Sequence, residues 1–401
     1  MTFTDLGLDA RLVSRLDGLG LRQPTPIQAN AIPPALAGHD VLGIAQTGTG
    51  KTAAFALPLI TALLASKDKA APGATRSLIL APTRELATQI VETFASLNKK
   101  LRINLVVGGK PIGAQAGKLA KGTDILVATP GRLIDLMDRR AVDLGEAHFL
   151  VLDEADQMLD IGFIHALRRI VKALPGQRQT MMFSATMPKL MAELTRDYLT
   201  DPVRVEVAAP GQTADKVAQS VHFVAKEDKK ALLIDLLHGH GDDRALVFSR
   251  TKHGAERLRK QLESEGFDAA SIHGNKTQPQ RDKALQAFRK GSVGILVATD
   301  VAARGIDIPA VGHVYNYDLP NVPENYVHRI GRTARAGRDG RATAFCAADE
   351  MNAWRAIEKL VGAAIETGGG TPWGTSTEGK GNKKKRARRR KSNPRHASIA
   401  A

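Results

Sequence analysis

The sequence predicts an α/β fold made of two similar units, each a parallel sheet flanked by helices, and three observations predict it. Ile125-Leu126-Val127-Ala128-Thr129 returns 170 residues later as Ile295-Leu296-Val297-Ala298-Thr299, and Leu78-Ile79-Leu80-Ala81 is echoed 168 residues on by Leu246-Val247-Phe248-Ser249. Short apolar runs alternate with helix-patterned stretches, which is the signature of βαβ units. A Pro/Gly-containing break, Ala208-Ala209-Pro210-Gly211-Gln212-Thr213-Ala214-Asp215, separates the halves. The expected division is a first domain over 1–209, a linker over 210–215, a second domain over 216–362 and a disordered basic tail over 363–401.

Taken in order, residues 41–45, 78–81, 105–107, 125–128, 149–152 and 181–183 read as buried strands, because each is an unbroken apolar run of strand length. Helical stretches such as 53–64 and 85–97 lie between them, and Val203-Arg204-Val205-Glu206-Val207 closes the first unit. In open sheets of this kind ligands bind at the carboxyl ends of the strands, and the polar motifs of this chain fall there.

With 401 residues and 43% hydrophobic content, each half can bury its own core. The one cysteine, Cys346, sits in apolar Ala344-Phe345-Cys346-Ala347, which excludes an internal disulfide framework and a Cys-based zinc site and fits a reducing cytosol. Asp5, Asp9 and Arg11 interrupt the N-terminal apolar residues, so no signal peptide is expected there, and no apolar run is long enough to span a bilayer. The expectation is a soluble cytoplasmic protein, not a membrane one.

Net charge is +16, and residues 363–401 carry +8 of it. The run Lys383-Lys384-Lys385-Arg386-Ala387-Arg388-Arg389-Arg390-Lys391 has no apolar periodicity, which argues against a membrane anchor and suits a polyanion partner tracked through counterion release. A solubilising tail is the alternative.

Ala45-Gln46-Thr47-Gly48-Thr49-Gly50-Lys51-Thr52 joins an apolar strand to a helix start, where backbone N–H groups cradle phosphates. In such a loop Lys51 reaches the β/γ-phosphates and Thr52 binds magnesium. Only the first half carries it. The run Phe149-Leu150-Val151-Leu152 ends in Asp153-Glu154-Ala155-Asp156, placing Asp153 at a strand tip to hold magnesium and Glu154 beside it to activate water.

With those motifs in hand, the chain resembles a DEAD-box ATP-dependent RNA helicase of bacterial type, with matching motifs from about Phe3 to Arg341. The resemblance implies two tandem RecA-like domains using ATP and Mg2+. It implies adenine recognition by Gln28 within Gly20-Leu21-Arg22-Gln23-Pro24-Thr25-Pro26-Ile27-Gln28, with Phe3 at the upstream aromatic position, and Leu21 departs from the aromatic often found there. It places RNA contacts at Pro82, Thr83 and Arg84, at Gly109, and at Thr129, Pro130, Gly131 and Arg132. In the second half they fall at Arg250, at Arg281 beside Gln278, and at Thr299. Read singly, each is also a capped turn.

Ser184 and Thr186, in Ser184-Ala185-Thr186, resemble the motif that couples nucleotide state to RNA. His328 resembles the residue connecting that motif and Glu154 to the second domain, and Arg332 and Arg335 match arginine-finger positions, worth roughly 10³–10⁵ in rate in such enzymes. Gly305 and Asp307 match a γ-phosphate and a ribose contact. Ala334 replaces a common glycine.

Aromatic residues are 4% of the chain, and none lies within the RNA motifs except Tyr326 at one border, so recognition is expected along the backbone and tolerant of sequence. The expected cycle is ATP-driven closure of the two domains on one strand, local duplex separation or RNA–protein remodelling, and release on hydrolysis. An ATP-switched RNA clamp or assembly scaffold with little unwinding is the alternative. A monomer is expected, and ribosomal or RNA-decay assemblies are the settings the resemblance suggests.

Overall fold

The computed structural model describes residues 1–46, 48–66, 68–187, 189–207, 217–239, 243–303, 311–334, 340–362 and 365–373. The expected linker 210–215 and the run 383–391 lie outside them, as do Thr47, Gly305, Asp307 and Arg335.

The first sheet comprises β1 (Val41–Ile44), β2 (Ser77–Leu80), β3 (Ile103–Val106), β4 (Ile125–Ala128), β5 (Phe149–Leu152), β6 (Gln179–Ser184) and β7 (Val203–Glu206), all parallel, in the order β3-β4-β2-β5-β6-β1-β7. The second comprises β8 (Val217–Phe223), β9 (Ala245–Phe248), β10 (Ala269–Ile272), β11 (Ile295–Ala298), β12 (His313–Asn316), β13 (Gly340–Cys346) and β14 (Glu366–Gly369), in the order β10-β11-β9-β12-β13-β8-β14. The two orders agree position for position. Leu78 lies opposite Leu126 in one sheet, and Leu246 lies opposite Leu296 in the other. The repeated strings are therefore equivalent central strands.

The helices of the first domain are α1 (Ala10–Gly18), α2 (Pro26–Leu36), α3 (Lys51–Ala65), α4 (Arg84–Leu97), α5 (Ile112–Leu119), α6 (Pro130–Asp138), α7 (Ala155–Asp160), α8 (Ile164–Lys172) and α9 (Lys189–Tyr198). Those of the second are α10 (Lys229–His238), α11 (Lys252–Ser264), α12 (Gln278–Lys290), α13 (Asp300–Ala303), α14 (Pro323–Ile330) and α15 (Met351–Val361).

Each strand alternates its side chains between two faces, so each sheet feeds two cores. Along β2, Ile79 joins the core under α1–α4, while Leu78 and Leu80 join the one under α6–α9. Phe55 of α3 anchors the first core between Phe94 and Phe183, at ring distances of 6.2 and 5.5 Å. Burial of such a side chain is worth roughly 1.5–3 kcal/mol.

The structure departs from the sequence reading at both ends of the strand series. Strand β3 is an edge strand whose first three residues are only half-buried, because one side of it has no neighbour. The fold also continues past residue 362: Glu366–Gly369 pairs in parallel with β8, and Trp373 donates Nε1–H to the Cys346 carbonyl at 3.0 Å. Residues 365–373 therefore belong to the packed domain rather than to the tail.

Candidate functional site

The phosphate loop leaves β1 and enters α3 through Gly48 and Gly50, whose φ values of 88° and 92° are open to glycine without strain. Thr49 Oγ1 donates to the Gln46 carbonyl at 2.7 Å, and buried Lys51 donates Nζ–H to the Ala45 carbonyl at 2.8 Å. Thr52 follows in the first turn of α3, half-buried. Gln28 ties the loop to α2. Its Oε1 accepts from Thr25 N at 3.0 Å, one half of a capping box, and its Nε2 donates to the Gly50 carbonyl at 3.0 Å. Phe3 packs into the first domain's core.

The acidic motif stands at the tip of β5. Asp153 and Glu154 are both buried, and burial pushes the Asp153 carboxyl up to about 7 against the pull of Lys51. Glu154 adopts a left-handed conformation, φ 52° and ψ 51°, which costs a non-glycine residue about 1–3 kcal/mol. Its Oε2 is buried without a hydrogen-bond partner. A carboxyl poorly compensated by cations next to an orphaned carboxylate oxygen fits a hard divalent cation. Among the described residues no cluster of three or more His, Cys, Asp or Glu could hold a metal alone, so such a cation would draw further oxygens from substrate phosphates.

Asp156, absent from the expected site, is the hub of the motif. Its Oδ2 accepts from Ala185 N (3.2 Å), Thr186 N (2.9 Å) and Thr186 Oγ1 (2.8 Å) and lies 3.7 Å from His328 Nε2 of the second domain. Burial raises the Asp156 carboxyl, yet His328, Lys51 and the hydroxyls of Thr186 and Ser184 hold it below its usual value overall. Burial likewise pulls the His328 imidazole down, against the two carboxylates facing it. The sequence reading joined His328 to Glu154; the carboxylate within 4 Å of its ring here is that of Asp156. Ser184 Oγ donates to the Thr186 carbonyl at 2.7 Å and fixes the turn.

Arg332 is buried near His328, whose ring feels its charge. Arg329, to which the sequence reading gave no role, is also buried. It donates to both oxygens of Asp300 (2.5 and 2.7 Å), to Asn316 Oδ1 (2.9 Å) and to the Asp318 carbonyl (2.7 Å), with its guanidinium 4.9 Å from the Phe248 ring centre.

A second cleft, of about 310 Å³, runs along the carboxyl ends of β2, β3 and β4. Pro82, Thr83, Arg84, Thr129, Gly131 and Arg132 line it together with Arg281 of the second domain. Thr83 caps α4 by accepting from Leu86 N, and Thr129 followed by Pro130 opens α6. The Arg84 guanidinium lies over Gly108 and Gly109, where a Cβ at Gly109 would stand 2.0 Å from Arg84 Nη1. Arg132 donates to the Lys110 carbonyl at 2.8 Å.

Across the cleft Arg84 donates to Gln278 Oε1 (3.3 Å), Gln278 Nε2 donates to Glu85 (3.1 Å), and Arg281 pairs with Glu85 (3.0 Å). Thr299 ends β11, as Thr129 ends β4. Arg250 is bonded within its own domain: its guanidinium pairs with Glu350 and donates to the Leu319 carbonyl. Glu85 and Asp156 had a signal in sequence, as acids inside strand-tip motifs. Thr186, His328 and Arg281 were singled out as well, but which acid each of them meets had no signal, because the pairs join separate motifs or separate domains.

Residues 25–194 match the DEAD/DEAH box helicase family and residues 228–337 the helicase conserved C-terminal domain. The chain is 45% identical over 368 residues to the ATP-dependent rRNA helicase rrp3 of Aspergillus terreus, covering 91% of this chain and 81% of that one. It is 43% identical over 359 residues to the ATP-dependent RNA helicase CshA of Listeria monocytogenes, covering 89% and 68%. Among solved structures, S. cerevisiae Dbp5 bound to RNA and ADP BeF3 is similar at a TM-score of 0.80 and 33% identity, over 91% of this chain and 95% of that one.

Proposed function

The chain belongs to the DEAD-box family of ATP-dependent RNA helicases, and on that footing we propose how its residues divide the work. Gln46, Thr47, Gly48, Thr49 and Gly50 cradle the phosphates of ATP through main-chain N–H groups, and Lys51 supplies charge to them. Gln28 senses the adenine edge beside Phe3, and the bond from Gln28 to Gly50 gives that recognition a direct line to the loop. Thr52 and Asp153 hold Mg2+. When bound, the cation neutralises phosphate charge. Glu154 takes the proton of the attacking water, for which its unpartnered Oε2 is suited. Arg332 and Arg335 stabilise charge on the transferred phosphoryl group, and Gly305 and Asp307 complete the pocket from the second domain.

The observation that carries this reading is the contact of Asp156 with both Thr186 and His328. It links the strand tip beside the phosphate loop to α14, which leads into Arg332, so nucleotide state and domain closure meet at one carboxylate. Closure in turn brings Arg84, Thr129, Arg132, Arg281 and Thr299 to one strand of RNA, and the main-chain and guanidinium character of the cleft suits sugar-phosphate contacts. Local duplex separation and remodelling of RNA–protein complexes follow if the closed cleft admits a strand shape that a duplex does not keep.

Glu154→Gln tests the assignment. RNA-stimulated ATP hydrolysis should fall by at least about 10²-fold, the usual scale of a general base, while RNA retention with ATP and magnesium rises. Wild-type turnover in that variant would refute the role of Glu154.

A further inference from the structure

Because the two sheets share one strand order, the loop after β8 corresponds to the phosphate loop after β1. Both loops lead into a helix whose first residue is a buried lysine, Lys51 in α3 and Lys229 in α10. The second loop, Val224-Ala225-Lys226-Glu227-Asp228, has no glycine and carries two acids, so it cannot wrap a phosphate chain. Its lysine is nevertheless occupied. Lys229 Nζ donates to Glu350 Oε2 at 2.6 Å, and also to the carbonyls of Tyr317 (2.8 Å) and Phe345 (3.3 Å).

Glu350 is itself buried and gathers further donors: the Arg250 guanidinium and Leu319 N (3.3 Å) on Oε1, and Ala347 N (3.1 Å) on Oε2. An ammonium, a guanidinium and two main-chain N–H groups converging on one carboxylate are the donor set with which proteins hold phosphate or sulfate. Beside it lies a cavity of about 570 Å³ at the carboxyl ends of β9 and β12, lined among others by Lys226, Ser249, Thr251, Arg257 and Asp318.

We propose that the second domain retains an oxyanion site at the place of the first domain's phosphate site, and that the chain's own Glu350 carboxylate fills it. Removal of that carboxylate opens the site to a tetrahedral oxyanion. In the native chain Glu350 is a positioning residue: it holds Arg250 at the end of β9 and keeps Lys229 compensated. The inference rests on the second domain's geometry and does not depend on how the protein acts on RNA.

Both tryptophans, Trp354 and Trp373, pack in the second domain, so tryptophan fluorescence of the full chain reports its unfolding. In Glu350→Ala, sodium phosphate should stabilise the domain saturably over sodium chloride of equal ionic strength. At ten times the phosphate dissociation constant, the folding equilibrium constant should rise about tenfold. Wild type and Glu350→Gln, whose site stays filled, should gain only the smaller general effect of phosphate. Adding Lys229→Met to Glu350→Ala should abolish the excess. Should Glu350→Ala fail to fold in chloride, its refolding in phosphate is the readout: recovery supports the site, and failure in both salts overturns it. Equal phosphate responses in Glu350→Ala and wild type overturn it as well.

Discussion

Arg329 illustrates how one buried cation organises the second domain. Four hydrogen bonds tie its guanidinium to Asp300, Asn316 and the Asp318 carbonyl, so it leaves little polar surface unpaired in the core beneath α14. Removing one partner from a buried ion pair typically costs about 3–5 kcal/mol, and because Asp300 keeps some contact with solvent the lower end applies. Arg329→Met should therefore destabilise the second domain by about 3 kcal/mol, seen as a lower urea midpoint of tryptophan fluorescence. A loss below about 1 kcal/mol would mean that the pair contributes no more than a surface salt bridge. The sequence made Arg332 and Arg335 visible through their motif, yet it left Arg329 without a role. Whether a helical arginine faces a core or a ligand depends on acids elsewhere, here Asp300. Asp156 stood out as part of the acidic motif, but its role as a hub did not, since that role lies in Thr186 and His328. The placement of Lys51, Asp153 and Glu154 was legible because it is set locally: a glycine loop before a helix, and acids at the end of a buried apolar strand.

At the level of elements, the strands that apolar runs foretold are the ones sandwiched between helix layers, such as β1, β2 and β4, whose residues are buried on both faces, and β5, buried from Leu150 on. Strand β14 carried no such signal. It reads Glu366-Thr367-Gly368-Gly369, and its glycines are required by a neighbour: a Cβ at Gly368 or Gly369 would stand 2.5 or 2.8 Å from the His222 ring. That contact gives β14 a pH dependence. Burial lowers the His222 pKa, so the fold favours the neutral imidazole. A depressed histidine contributes stability that is fully present above its unfolded value near 6.5 and is lost as pH falls through the lower folded value. Amide exchange over 366–369 should therefore quicken, relative to the intrinsic rate, between pH 7.5 and pH 5, and His222→Gln should flatten the change. A wild-type profile in that variant would assign the effect to another group.

For the whole molecule, the doubling was legible from two repeated strings, but the way the halves meet was not. Glu85 sits at the start of α4 and Arg281 at the start of α12, and no periodicity links residues so far apart. Their 3.0 Å pair, with Gln278 bonded to both Arg84 and Glu85, is a clasp on the cleft side of the domain junction, opposite in role to the Asp156–His328 contact on the nucleotide side. It also gives Arg281 a double duty. The residue expected to grip RNA is held by a carboxylate of the facing domain and by the Ala302 carbonyl, so its guanidinium is oriented before a strand arrives. Pre-orientation of this kind favours binding in the closed form only. A double-mutant cycle of Glu85→Ala and Arg281→Ala, read as RNA affinity with a non-hydrolysable ATP analogue, should give a coupling within about 0.5–3 kcal/mol, the range for contacting residues. Without nucleotide the same cycle should fall toward zero, because open domains do not bring the pair together. Equal coupling in both conditions would place the pair outside the closure step, and zero coupling in both would mean that bound RNA breaks it.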